Sequence, residues 1–175
     1  MKYDVVVIGA GASGMMAAIQ AAKKCSSEDR NRGHACYGSC KRVALLEVLS
    51  RPGKKILITG NGKCNLTNYR LDESCYHTDS GSTEDIISVI DRFDSKAVTD
   101  FFREEGMLAR DRDGYVYPYS EQASSVLDCL RQCLAKYGID LICGCETASV
   151  KKKDNEFIIS GTIRDTQAEN SRADA

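Results

Sequence analysis

Three glycines, a glutamate and a lysine–cysteine–asparagine triplet are the residues of this chain whose types and spacing can do chemistry. Gly9, Gly11 and Gly14 form a Gly-x-Gly-x-x-Gly run. Such a run turns the chain tightly, admits a phosphate to the backbone and packs a following helix close. Gly9 is expected to make the turn, Gly11 to leave no Cβ where a pyrophosphate approaches, and Gly14 to let helix and strand close up. The N–H groups of Ala12, Ser13 and Gly14 would then face an anion at the positive end of the helix dipole. Glu47 has the type and place of the acid that holds the ribose hydroxyls of an adenosine. An acid rather than an arginine there favours an unphosphorylated 2′-hydroxyl, hence FAD or NAD over NADP. Lys63, Cys64 and Asn65 lie in Gly60–Asn68, a segment rich in glycine and amides.

The nine cysteines are numerous and odd in number. With no secretory signal in view they are expected to be reduced thiols rather than a disulfide framework. Cys129 and Cys133 stand one turn apart on a predicted helix, and Cys143 and Cys145 alternate along a predicted strand. Cys36 and Cys40 share a loop with His34, a conceivable zinc set. No C-x-x-C pair occurs, and buried small apolar residues explain the cysteines equally well, so no metal is expected. No catalytic acid or base stands out. Tyr115, Tyr117 and Tyr119 have the spacing to face a substrate, but alternating burial along a strand is the simpler reading.

Elements must position these groups. Val5–Ile8 reads as a buried strand running straight into the glycines, and an alanine-rich helical pattern follows at once. Arg42–Glu47 reads as the second strand, with Glu47 at its end. That places Glu47 33 residues past Gly14, beyond the usual spacing of about 20. The excess is assigned to an inserted loop over residues 25–40, polar and without periodicity. Residues 51–55 read as a turn and 69–82 as irregular. Helices are predicted over Glu84–Arg92, capped by Ser82 or Thr83, and from a Ser95 cap to a stop at Gly106. Arg110–Gly114 reads as a hairpin turn with Tyr115–Tyr117 returning. A helix capped by Ser120 carries Ala123, Val126, Leu127, Leu130 and Leu134 at helical spacing. Strands follow at 139–142, 146–150 and 156–160, the last two around a charged turn over Lys151–Asn155. The pattern is α/β, a sheet with a small antiparallel annex.

At 175 residues the chain is read as one domain, 1–175, large enough to bury a core. Its net charge of −1, with 28% charged residues, offers no electrostatic case for nucleic acid or an anionic membrane. No hydrophobic segment of spanning length is present, and the chain opens directly into a core strand. A cytoplasmic protein is expected.

With those residues in place, the chain resembles the N-terminal part of the BaiN-like, or aminoacetone oxidase, family of NAD(P)/FAD-dependent oxidoreductases. Val7–Gly14, Gly53–Asn68 and Gly114–Ser120 carry the resemblance, which covers nearly the whole chain. The middle segment is the specific one. The family reads GKK-(L/I)-LISGGGRCNVTN there, and this chain keeps the frame over sixteen positions, with Asn61 replacing a glycine and Lys63 replacing the arginine. Lysine keeps the charge but loses the bidentate fork. The resemblance implies a Rossmann-like FAD-binding domain of the two-dinucleotide flavoprotein type. Such proteins are longer, and the strand and Ala-Thr-Gly-Gly turn that close their FAD domain are expected beyond Arg172–Ala175, so the chain is expected to be truncated.

By the same resemblance, the adenosine diphosphate half of FAD lies on Gly9–Gly14 with Glu47 on the ribose. Lys55, Gly62, Lys63, Cys64 and Asn65 approach the pyrophosphate and flavin, and Thr147 reads the adenine edge. The flavin would pass hydride through N5 to or from a small molecule, with NAD(P)H as a possible donor. A thiol beside a flavin suggests disulfide redox chemistry, but that needs a cysteine pair and Cys64 has no near partner. Two other readings stay open. One is an NAD-dependent dehydrogenase on the same glycine run, against which Gly60–Asn68 argues. The other is a non-catalytic nucleotide-binding fragment. Neither substrate nor oligomeric state is legible.

Overall fold

The computed structural model describes residues 1–30, 42–79 and 81–164. In chain order the elements are β1 (Val5–Ile8), α1 (Ala12–Arg30), β2 (Val43–Leu46), β3 (Thr67–Asn68), α2 (Thr83–Ile90), α3 (Ser95–Glu104), β4 (Ala109–Arg112), β5 (Tyr115–Pro118), α4 (Ala123–Lys136), β6 (Asp140–Ile142), β7 (Cys145–Lys153) and β8 (Glu156–Ile163). Short 3₁₀ turns occupy Ile56–Gly62, Glu73–Cys75 and Asp91–Phe93. The chain divides into two compact units, Met1–Lys54 with Leu130–Ala175, and Lys55–Cys129. The first is called unit 1 and the second unit 2.

Unit 1 is built on a parallel sheet in the order β1-β2-β6. Val5 pairs with Val43 and Ile8 with Leu46, while Ala44 pairs with Asp140 and Leu46 with Ile142. All four residues of the central strand β2 are buried, as a near-continuous apolar run in a parallel sheet requires. Helix α1 buries Met15, Ala18, Ile19 and Ala22, the i, i+3, i+4, i+7 stripe of a helix laid on a sheet. It continues through Arg30, so the insertion predicted from Cys25 begins as helix rather than loop. The remainder of that segment, including His34, Cys36 and Cys40, lies outside the described residues. Strands β7 and β8 make a separate antiparallel hairpin with a bulge between Thr147 and Ser149. Its turn is Asp154–Asn155, so Lys151–Lys153 end a strand instead of forming the turn.

Unit 2 holds an antiparallel sheet in the order β3-β5-β4 with helices α2 and α3. The β4–β5 turn is Asp113–Gly114, with φ of 56° and 89°, the left-handed pair that a two-residue hairpin loop demands. Asp111 closes it by accepting the Gly114 N–H at 2.7 Å. Alternation along β5 buries Val116 and Pro118 on the core side. Phe101 and Phe102 of α3 are buried too, their rings 5.1 Å apart and edge-to-face. Ser82 caps α2 as predicted, accepting from the Glu84 N–H. For α3 the cap is Asp94, accepting from the Ala97 N–H at 2.7 Å, and not Ser95. Asp94 holds the extended backbone of the cap position, whereas Ser95 is already the first helical residue.

Candidate functional site

The glycine run of unit 1 is the turn between β1 and α1. A Cβ on Gly14 would overlap the Gly9 carbonyl oxygen, so only glycine lets the helix start this close to the strand. Gly11 is the opposite case: a Cβ there would meet nothing within 4 Å. The space in front of Gly11 is open, and any side chain there would project into it. Met15 is the first residue whose amide turns back into the helix, donating to the Gly11 carbonyl at 2.9 Å. The amides of Ala12, Ser13 and Gly14 are thus the open N-terminal donors of α1. No acidic residue occupies the first turn to compete for them. The arrangement suits a phosphate.

Glu47 ends β2 beside this turn and is buried, at 8% exposure. One carboxylate oxygen accepts the Ala10 N–H at 2.7 Å, and the other accepts the Leu49 N–H at 2.9 Å. Ala10 is fully buried, and its carbonyl accepts the Gly53 N–H at 2.8 Å. The residue between the first two glycines is therefore held at both ends, by Glu47 and by the Pro52–Gly53 turn. Each Glu47 oxygen keeps one lone pair for a hydroxyl. The β6–β7 turn wraps the same place, Cys145 donating its N–H to the Glu47 carbonyl at 2.8 Å. Burial and then the Glu47 charge push the Cys143 thiol above its ordinary range. Thr147, two residues into β7, has its hydroxyl oxygen buried without a partner among the described residues.

Unit 2 carries the second predicted group by itself. Within Ile56–Gly62, Gly60 and Asn61 both take left-handed backbone, with φ of 53° and 55°. Cys64 follows with φ 57°. A Cβ on Gly60 would lie 2.7 Å from the Asn65 nitrogen and 3.5 Å from the Tyr117 ring. Lys55, Gly62 and Asn65 are exposed, Lys63 is half-buried and Cys64 is buried. Burial raises the Cys64 thiol above its ordinary value, with a smaller opposing pull from Thr59. Among the described residues Cys64 is paired with no other cysteine, which fits the packed thiol.

The Lys63 ammonium reaches Glu121 at 3.3 Å. Glu121 also accepts from Arg110 at 2.7 Å and from Arg112. Arg110 comes first among the causes that hold the Glu121 carboxyl below the ordinary glutamate range. Glu121 escaped the sequence reading, Arg110 and Arg112 entered it only as turn residues, and Ala10 and Gly53 only as members of motif segments. The alternation Arg110-x-Arg112 beside a turn was the available signal for two of them. Among the described residues no group of His, Cys, Asp and Glu is arranged to hold a metal, and no helix is long and apolar enough to cross a membrane.

Residues 3–173 match the model of a family described as the HI0933-like protein Rossmann domain. The chain is 39% identical over 153 residues to the 3-dehydro-bile acid delta(4,6)-reductase of Clostridium scindens, which covers 87% of this chain and 34% of that protein. It is 26% identical over 158 residues to the ribosomal RNA dihydrouridine synthase of Escherichia coli, covering 90% of this chain and 35% of that one. The chain spans about a third of the length of these curated relatives. Among solved structures, THI4 of Thermovibrio ammonificans aligns with a TM-score of 0.53 at 16% identity, over 97% of this chain and 50% of that one. That likeness is one of fold.

Proposed function

Since the chain belongs to the HI0933-like Rossmann-domain family, we propose that it is the FAD-binding part of a flavin-dependent oxidoreductase. One observation carries the reading: open space in front of Gly11, beside the open amides of α1 and the buried carboxylate of Glu47. The residues present fit the adenosine diphosphate half of FAD. The amides of Ala12, Ser13 and Gly14 bind the pyrophosphate, aided by the helix dipole. Glu47 accepts the ribose hydroxyls with the lone pairs its backbone bonds leave free. The unpartnered hydroxyl of Thr147 is a donor for the adenine edge.

Lys55, Gly62, Lys63, Cys64 and Asn65 are assigned to the pyrophosphate and flavin on the strength of the family motif alone. Lys63 supplies positive charge there, and the Cys64 thiol stays neutral. The flavin, when bound, supplies hydride transfer; the chain supplies position and electrostatics. NAD(P)H is the proposed donor and a small molecule the proposed acceptor.

The test is an absorption spectrum of the purified chain before and after excess FAD, followed by desalting. Retained yellow flavin absorbance is expected. Glu47→Ala leaves the Ala10 amide unpaired and is expected to weaken FAD on the order of tenfold to a hundredfold. A colourless chain that instead retains NADH would assign the glycine turn to a nicotinamide dehydrogenase. A chain that retains neither would sink the proposal.

A further inference from the structure

The β4–β5 hairpin of unit 2 presents two unlike faces. Val116 and Pro118 point into the core. On the other face stand Arg110 and Arg112, opposite Tyr117 and Tyr115 in register. The Tyr119 ring lies under the Arg110 guanidinium at 4.7 Å. A Cβ on Gly60, in the 3₁₀ turn that Lys63 follows, would lie 3.5 Å from the Tyr117 ring. Arginines, tyrosines and the Lys63 turn thus form one continuous surface inside a single unit.

Its charge is unbalanced. Both arginines fall on one oxygen of Glu121 and Lys63 on the other, so one carboxylate serves three cations. The imbalance does not reflect the surroundings. Residues 55–129 contain eight Lys and Arg against fourteen Asp and Glu. Elsewhere in the unit, Arg70 has Asp113 and the two cations on Asp100 are neighbours along one helix. Here the cations come from two separate segments, strand β4 and the turn at Lys63, and converge. Arg110 and Lys63 are only 35% and 45% exposed, so their mutual repulsion is screened less than at a free surface. Glu121 and Cys64 both hold left-handed backbone, with φ of 54° and 57°. Such conformations are uncommon for these residues and collect at ligand clamps.

We infer that Lys63, Arg110 and Arg112 form an oxyanion receptor, with Glu121 as the internal counter-ion that aligns the cations while no ligand is bound. The ligand is a carboxylate or phosphate carried by a small molecule. Each guanidinium spends part of its five-donor fork on Glu121 and keeps the rest for a planar oxyanion. Tyr115, 50% exposed on the same face, offers an apolar wall to the body that carries the anion.

The receptor is tested on the full chain by calorimetric titration at low ionic strength with inorganic phosphate and, separately, with acetate, in the absence of FAD. Saturable binding of at least one is expected, and the stronger of the two identifies the anion class. Arg112→Gln and Lys63→Gln should each weaken it by about tenfold. Glu121→Gln removes the competing charge at equal size and should tighten it. No saturable binding, or binding indifferent to Arg112→Gln and Lys63→Gln, would overturn the inference. Lys63 is shared with the proposed cofactor contacts, so the titration is repeated with FAD present. Phosphate binding that persists supports a separate receptor; binding that FAD abolishes returns these cations to the cofactor and overturns it. Because the first titration contains no FAD, its failure leaves the flavin reading intact.

Discussion

Cys64 and Cys75 show at the scale of single residues how burial sets chemistry. Both are free thiols in unit 2, but Cys64 is buried and Cys75 is exposed. The thiolate is the reactive form, and desolvation penalises it, so the Cys64 thiol titrates above the ordinary value. Alkylation by iodoacetamide at neutral pH should label Cys75 first and Cys64 only as pH rises past the ordinary thiol range; peptide mass mapping reads the order. The linkage has a definite sign. A folded-state pKa above the unfolded value of about 8.5 leaves stability intact below that pH and erodes it above, where only the unfolded chain deprotonates. Glu47 shows the complementary limit of sequence. Its type and place at the end of β2 were legible, whereas its bonds to the Ala10 and Leu49 amides were not, because no local pattern records which backbone groups a folded chain brings to a carboxylate.

At the scale of elements, the β1–turn–α1 unit was legible in its order and in the bounds of β1, although β1 is half-buried and ends on an exposed Ile8 rather than being a buried strand. Strand, glycines and helix are local, and each glycine has its own steric reason. Gly14→Ala should break this unit. Its Cβ meets the Gly9 carbonyl, and the forced shift of α1 should cost on the order of 1–3 kcal/mol, read as a lower denaturation midpoint. Gly11→Ala enters open space and should leave that midpoint nearly unchanged while weakening FAD. Two effects from two glycines of one motif separate packing from binding. The boundaries that differed did so for physical reasons. Helix α1 runs on past Cys25 because the polar residues beyond it include no proline or glycine before Gly33. The cap of α3 moved to Asp94 because any acceptor side chain at the right backbone position will serve.

At the scale of the molecule, the most buried strand is the central strand of the parallel sheet, β2. Leu45 is fully buried in β2, and Leu45→Ala should cost about 2–5 kcal/mol. Ile58, 76% exposed, should tolerate alanine within about 0.5 kcal/mol; urea denaturation of the two variants compares them directly. Composition, periodicity and the glycine run determined on their own an α/β chain with a nucleotide-type turn, because those signals are written in residues close together. The tertiary structure alone decided that β2 lies between β1 and β6, that Glu47 clamps Ala10, and that Lys63 meets Arg110 and Arg112 on Glu121. The three cations lie 9 to 58 residues from Glu121 in the chain. Charge and hydrogen bonding act through space, so only folding could reveal which distant side chains share a carboxylate.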